Sequence, residues 1–249
     1  MNPKKSHISI ETHSFQECVK QVKSLAELRA EYANQPADER RKAADWEYHS
    51  SIAGRMFNDA LARAGQPSFG EQHWPEGVLA LAIDPTFAPA ILTVGSMEYQ
   101  LGRKEKAMEL FMALTKLPPD EPDLPEIIDK AGDFLIDEGD YTNALALYAA
   151  AEAAFPDEAV YPVGVSYCLG KLGRYEEALT KARRADELEP ENYMHLNDLG
   201  WALCEAGYLQ EAKETLQRSV ALAPDDYELA RNNLATVYES LKCLPDGAD

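Results

Sequence analysis

The stretch YMHLNDLGWALCEAGYLQEAKETLQRSVALAPDD, residues 193–226, is the last of three adjacent segments that follow one 34-residue pattern. The two earlier copies are 125–158 and 159–192. All three have a small residue at the eighth place, a large apolar residue at the eleventh, glycine at the fifteenth, alanine at the twentieth and proline at the thirty-second. A period of about 20–50 residues is typical of solenoids, in which each unit is too small to bury its own apolar face and stacks on its neighbours.

The pattern predicts two helices in each copy. Leu196, Leu199 and Leu203 recur at helical spacing in the third copy. Gly207 follows them and ends the first helix, because glycine adopts the left-handed conformation without a Cβ penalty. The alanine at the twentieth place lets a second helix approach the first closely, and the proline stops that second helix.

This helical hairpin resembles the tetratricopeptide repeat. The match lies in Asp140-Tyr141-x-x-Ala144 and in Arg174-Tyr175-Glu176-Glu177-Ala178-Leu179. The tryptophan that the family often has at the fourth place is absent. The resemblance implies an all-α fold, namely an α-solenoid of helix-turn-helix repeats in a right-handed superhelix, with an N-terminal helical pair and a C-terminal capping helix.

The flanking sequence extends this organisation in both directions. Ser14-x-x-Glu17 forms a capping box that predicts the start of a helix. Asn232-Asn233-Leu234-Ala235 repeats the beginning of the pattern once more. We expect a disordered lead over 1–13, a helical pair over 14–64, a degenerate repeat with an insertion over 46–87, repeats over 88–121, 125–158, 159–192 and 193–226, a capping helix over 227–241 and a frayed tail over 242–249.

One segment interrupts the register of the repeats. Residues 118–125 contain four prolines and add three residues before the next copy. Because proline restricts itself and its preceding residue, the segment predicts a stiff, extended joint without helix. It either bends the solenoid or is simply a longer loop.

The composition excludes several classes of protein. A formal net charge of −19 argues against nucleic acid and against anionic membranes as partners. No apolar run approaches the ~18 residues of a membrane helix, and the first residues do not read as a secretory signal. The four cysteines are far apart, so we expect reduced thiols and a cytoplasmic protein.

Catalytic motifs are missing from the sequence. The five histidines are scattered, and neither a phosphate-binding glycine loop nor a nucleophile elbow is present. An enzyme with chemistry around His73 in 66–87 is the weakest alternative. Asp129, Asp133 and Asp137 lie four apart on one helical face, a spacing that a hard cation can use. A solvated acidic face is the commoner interpretation, so we predict no metal and no cofactor.

The resemblance also implies which side chains line a groove, because the first helices of this family face the ligand at their second, fifth, ninth, twelfth and thirteenth places. Tyr167 and Trp201 are equivalent in their repeats and therefore lie on adjacent helices. Tyrosine and tryptophan often anchor interfaces. The predicted groove residues are Tyr99, Asp129, Asp133, Asp137, Tyr167, Lys171, Met194, Asn197, Trp201 and Asn232.

The acidic residues suggest the chemistry of a partner. Segment 125–158 carries nine acidic residues and one lysine. Aromatic side chains beside a negative surface suit an extended peptide that carries lysine or arginine. Two alternatives stay open: Trp201 fills the core between repeats, or the acids only keep the groove soluble.

Some members of the family bind the carboxylate of chaperone tails through Lys and Asn at the fifth and ninth places of one repeat. Here Asp129 and Asp133 stand at those places, which argues against that ligand. We predict a non-enzymatic adaptor, scaffold or chaperone-like module that binds a protein segment. The alternative is a structural protein that forms homo-oligomers through 14–64.

Overall fold

In the computed structural model, the described residues are 25–63 and 77–243, and side chains are described for all of them except 52–63. The expected disordered lead, the capping box at Ser14, the loop after Gly65, His73 and residues 244–249 lie outside them. The described residues form α-helices joined by turns and short loops. The chain divides into two compact units, residues 1–87 and 88–249.

The first unit contains three described helices: α1 (Leu25–Tyr32), α2 (Ala37–Arg63) and α3 (Val78–Ile83). Residue 46, at which the sequence places the start of a degenerate repeat, lies inside α2. The pairing of 14–64 with the same segment of a second copy of the chain stays a prediction.

A buried carboxylate at the end of α3 connects that segment to α2. Asp84 follows α3 and is 3% exposed. Its carboxylate accepts hydrogen bonds from the backbone N–H and the hydroxyl of Thr86 and lies 3.4 Å from the guanidinium of Arg41 on α2. The same guanidinium packs over the ring of Phe87. Burial of the charge is therefore offset by an ion pair and two hydrogen bonds.

The second unit is a series of antiparallel helical pairs, and the prediction of an all-α solenoid is confirmed for it. Each helix contacts the next one along the chain, and the first helices of neighbouring repeats contact each other. The helices are α4 (Ala88–Gln100), α5 (Lys104–Leu114), α6 (Leu124–Asp137), α7 (Tyr141–Ala154), α8 (Val160–Lys171), α9 (Tyr175–Leu188), α10 (Tyr193–Glu205), α11 (Leu209–Leu222) and α12 (Glu228–Lys242).

The turn inside each hairpin has one geometry. Its glycine has a φ between 72° and 90°, a left-handed conformation that a side chain strains. The residue after the glycine donates a hydrogen bond of 2.8–2.9 Å to the carbonyl five residues earlier, as in a Schellman cap. The four bonds run from Arg103 to Glu98, from Asp140 to Leu135, from Arg174 to Leu169 and from Tyr208 to Leu203.

The two helices of a hairpin approach each other at the eighth and twenty-fourth places of the repeat. A Cβ added to Gly95 or Gly200 would lie 2.5 Å from the side chain of Phe111 or Leu216, respectively. A Cβ on Gly132 would overlap the ring of Tyr148. The repeat over 159–192 has the larger Ser166 and the smaller Ala182 at these places. Three of the four repeats therefore place a glycine opposite a large side chain, and the repeat over 159–192 pairs a serine with an alanine.

The repeat over 88–121 departs from the pattern at its eleventh place, where Glu98 stands instead of leucine. The side chain is buried and is held by ion pairs with Arg103 and Lys106. Hydrogen bonds from these two cations lower the pKa of the Glu98 carboxyl to about 2. A paired charge thus replaces an apolar contact at this position.

The prediction of an extended joint without helix over 118–125 is wrong in two respects. The segment folds into turns, in which the N–H of Glu121 donates to the carbonyl of Pro118 and the N–H of Leu124 to that of Glu121. Helix α6 begins at Leu124 and takes Pro125 into its first turn. Proline is tolerated there because N–H groups of the first turn have no partner in the helix.

We predict that Gly132→Ala destabilises the second unit, because its methyl group would overlap the Tyr148 ring and that ring also packs tightly against a second helix. Gly164 on α8 packs against its other side. Overpacking of this kind costs about 1–3 kcal/mol. Urea-induced unfolding followed by circular dichroism measures the change.

The matched control is Gly170→Ala, which also replaces a helical glycine. Its Cβ would meet only the carboxylate end of the flexible Glu205 side chain, at 2.8 Å. This control should leave stability unchanged or raise it slightly, since alanine is the better helix former. Equal stability of the two variants would contradict the packing of Tyr148 between the two glycines.

Candidate functional site

A cavity of about 480 Å³ opens between the first helices of three consecutive repeats, α6, α8 and α10, with Tyr148 of α7 beneath it. It brings together six of the ten residues expected in the groove. They are Asp129, Asp133, Asp137, Tyr167, Lys171 and Trp201.

Two aromatic side chains line the cavity from adjacent helices. Tyr167 of α8 is 46% exposed, and Trp201 of α10 is half-buried. Both rings therefore keep surface for contact with another molecule. Aromatic rings offer large apolar area, and their faces also attract cations.

The acidic row, defined as Asp129, Asp133 and Asp137, lines the cavity from α6. The hydroxyl of Tyr148 lies 2.9 Å from Oδ1 of Asp129 and 3.3 Å from Oδ1 of Asp133. One hydroxyl proton serves both carboxylates. Burial raises the pKa of Asp129 and of Asp133, although the bond from Tyr148 opposes this shift.

Two further carboxylates line the cavity from α10, those of Asp198 and Glu205. Burial raises the pKa of Asp198 to about 6, although its Oδ1 accepts a hydrogen bond from the side-chain amide of Asn197. Asp198 is absent from the sequence-based set because the sixth place of the repeat was not assigned to the groove. The sequence signal that could have found it is a carboxylate between two leucines of the buried face, Leu196 and Leu199.

Lys171 is the one cation among the described residues that line the cavity. Its ammonium nitrogen lies 5.1 Å from the centre of the Tyr167 ring, within the distance of a cation–π contact. Five carboxylates and one ammonium thus surround a partly aromatic cavity. Such a site attracts cations and disfavours anions.

The structure does not bring the other four expected residues into the cavity. Met194 is 46% exposed at the first turn of α10, and Asn232 is exposed on α12. Tyr99 and Asn197 are buried, at 4% and 2% exposure.

The two buried residues make contacts inside the protein. The hydroxyl of Tyr99 donates a hydrogen bond to the carboxylate of Asp140 at 2.8 Å. Asp140 belongs to the next repeat, where it caps α7 by accepting from the backbone N–H of Asn143. The side chain of Asn197 donates to Asp198 and accepts from the amide of Asn233 on α12. The bond from Tyr99 to Asp140 and the bond from Asn233 to Asn197 each link one repeat to the next helical segment, so both residues are left out of the candidate site.

The geometry defines an all-α repeat protein with a cavity between first helices. Residues 88–121 and 169–227 match the tetratricopeptide repeat family. These two segments contain tetratricopeptide repeats, which confirms the resemblance seen in the sequence.

A curated relative is similar over part of the chain. The small glutamine-rich tetratricopeptide repeat-containing protein 2 of Mycosarcoma maydis is 28% identical over 125 residues, which are 49% of this chain and 35% of the relative. The chain thus matches about a third of the length of that protein.

Solved structures with similarity to the chain are tetratricopeptide repeat domains. The Sgt2 domain from Aspergillus fumigatus has a TM-score of 0.45 and 19% identity, over 52% of this chain and 89% of that chain. The second domain of human RPAP3, in complex with the HSP70 peptide SGPTIEEVD, has a TM-score of 0.43 and 26% identity, over 47% of this chain and 98% of that chain.

Among the described residues, no helix combines the length and the apolar character needed to cross a membrane.

We predict that Asp198→Asn stabilises the protein at about pH 7.5. Folding raises the pKa of this carboxyl from 3.8 to about 6, so the folded protein loses stability as the pH rises through this window. Asparagine removes the buried charge, and the gain should be about 1–3 kcal/mol above pH 6 and absent below pH 4. Urea unfolding at about pH 7.5 and pH 4 measures the difference.

Asp137→Asn is the control, because it removes the same charge from an exposed side chain of the same cavity. We expect a change within about 0.5 kcal/mol at either pH. A gain from Asp198→Asn that persists unchanged at about pH 4 would exclude burial of the charge as its cause.

Proposed function

We propose that this protein is a non-enzymatic interaction module, such as an adaptor, a scaffold or a chaperone-like protein, that binds an extended segment of another protein. The segment carries arginine or lysine side chains together with apolar ones. The observation that carries this proposal is the cavity in which Tyr167 and Trp201 lie beside five carboxylates.

The charge of the cavity favours a cationic partner. Asp129, Asp133, Asp137 and two acids of α10 face one ammonium, that of Lys171. A concave surface lined by one sign of charge concentrates its field and accelerates the approach of the opposite charge. Charge complementarity of this kind also excludes wrong partners, which here are acidic segments.

The aromatic side chains supply contact area that charge alone does not. Tyrosine and tryptophan are enriched among the residues that dominate binding energy, since they bury much surface with few rotatable bonds. An arginine side chain suits both parts of the cavity, because its guanidinium stacks on aromatic rings and pairs with carboxylates.

The spacing of the acidic row supports an extended partner. Residues four apart in a helix are displaced by about 6 Å along its axis. Alternate residues of an extended chain are about 6.6–6.8 Å apart and point to the same side. An extended segment that runs along α6 therefore matches the row with cations at every second position.

The cysteines bear on the compartment. Cys168, Cys204 and Cys243 are free thiols, and burial raises the pKa of Cys168 to about 12, so its thiol is unreactive. Free thiols suit a reducing environment, and we propose the cytoplasm.

We predict that a peptide with blocked ends and the sequence ARARAR binds more tightly than its isomer AAARRR. The alternating peptide presents three guanidinium groups to one side, whereas the isomer directs one of its three away from the acidic row. Loss of one or two exposed ion pairs corresponds to about threefold to tenfold in affinity. Isothermal titration calorimetry at fixed salt concentration measures both peptides.

The acidic peptide SGPTIEEVD is the negative control in the same titration, and we expect no measurable binding of it. Equal affinities of the two arginine peptides would contradict the match between alternating arginines and the acidic row, because they would indicate non-specific charge attraction. Binding of the acidic peptide alone would overturn the proposed function.

We predict that Tyr167→Ala and Trp201→Ala each weaken binding of ARARAR by about fivefold or more, because each removes an aromatic surface from the cavity. Tyr175→Ala is the matched control, since Tyr175 is 43% exposed at the start of α9 and does not line the cavity. The control should bind like the unchanged protein. Circular dichroism verifies that all three variants retain their helicity.

A further inference from the structure

We propose that Lys171 is an intrachain competitor for the candidate site: its ammonium occupies the face of Tyr167 that a cationic side chain of the partner takes. This inference rests on the proposed function and adds a regulatory contact to it. The residue thereby sets how strongly a partner must bind before it displaces the resident cation.

The contact is local and does not depend on any ligand. Tyr167 and Lys171 are four residues apart on α8, so their side chains lie on the same face of the helix. The ammonium nitrogen is 5.1 Å from the ring centre. Tyr167 nevertheless keeps 46% of its surface exposed, which leaves the ring accessible once the ammonium leaves.

Lys171 can leave the ring without disrupting the fold. It is exposed at the last residue of α8, and within the described residues it takes part in this ring contact and in no ion pair. Lys181, by contrast, is held in an ion pair with Glu152 at 2.7 Å. The partial negative charge at the helix C-terminus also favours the ammonium in positions off the ring.

The competing cation selects among partners. A second ammonium over Tyr167 only repeats the contact that Lys171 already makes. A guanidinium gains more, because it is less strongly hydrated, stacks on the ring and pairs with two carboxylate oxygens. Asp198 and Glu205 line the same cavity as Tyr167 and offer such carboxylate oxygens. The chemistry of the cavity therefore favours arginine over lysine in the partner segment.

The test compares Lys171→Met with Lys116→Met in titrations with the blocked peptide ARARAR. Lys116 is exposed and lies outside the cavity, so its replacement gives the same change of net charge. Removal of a cation–π competitor should tighten binding about threefold to fivefold for Lys171→Met. For Lys116→Met we expect less than about a 1.5-fold change at physiological salt, because screening suppresses remote charges.

A second comparison ties the gain to the ring. In a Tyr167→Leu background, Lys171→Met should tighten binding no more than Lys116→Met does, since the contact that holds the ammonium is already gone. A gain that persists in this background would overturn the competition at Tyr167.

The remaining outcomes separate this inference from the proposed function. If the unchanged protein binds ARARAR and Lys171→Met equals Lys116→Met, the competition is refuted while the proposed function stands. Weaker binding by Lys171→Met would make Lys171 a ligand contact, which also refutes the competition. If neither the unchanged protein nor any variant binds the peptide, the proposed function fails and takes this inference with it.

Discussion

The second unit depends on the close approach of two helices at one point in each hairpin. In three of the four repeats a glycine at the eighth place faces a large side chain at the twenty-fourth, as Gly132 faces Tyr148 and Gly200 faces Leu216. The contact distances leave no room for a methyl group, so backbone and side chain are packed at the density of a protein interior. This contact fixes which faces of the two helices meet within these hairpins.

Tyr148 connects that packing to the cavity. Its ring fills the space left by glycines on two repeats, Gly132 and Gly164, and its hydroxyl reaches the first two acids of the acidic row. A core residue therefore fixes the position of surface carboxylates. Side chains that are held in place before a partner arrives lose less conformational entropy on binding.

The cavity concentrates charge where burial penalises it. The raised pKa values of Asp129, Asp133 and Asp198 mean that their ionised forms lower the stability of the fold near neutral pH. Two acids that are almost fully buried elsewhere among the described residues are paired, Asp84 with Arg41 and Glu98 with Arg103. Acids that weaken the fold and lack a basic partner are expected where function, rather than stability, determines the residue.

The sequence by itself determined the repeat, its helices and the fold class, because small residues, turn glycines and apolar spacing are local constraints that every copy repeats. Through its resemblance to the family it also marked Tyr167, Trp201 and the acidic row as groove residues, and equivalent places in stacked repeats lie side by side. Only the tertiary structure decided that Tyr99 and Asn197 are buried and that Asp198 faces the cavity. Those outcomes depend on contacts with the next repeat, such as the bond from Tyr99 to Asp140, and no periodicity within one repeat encodes them.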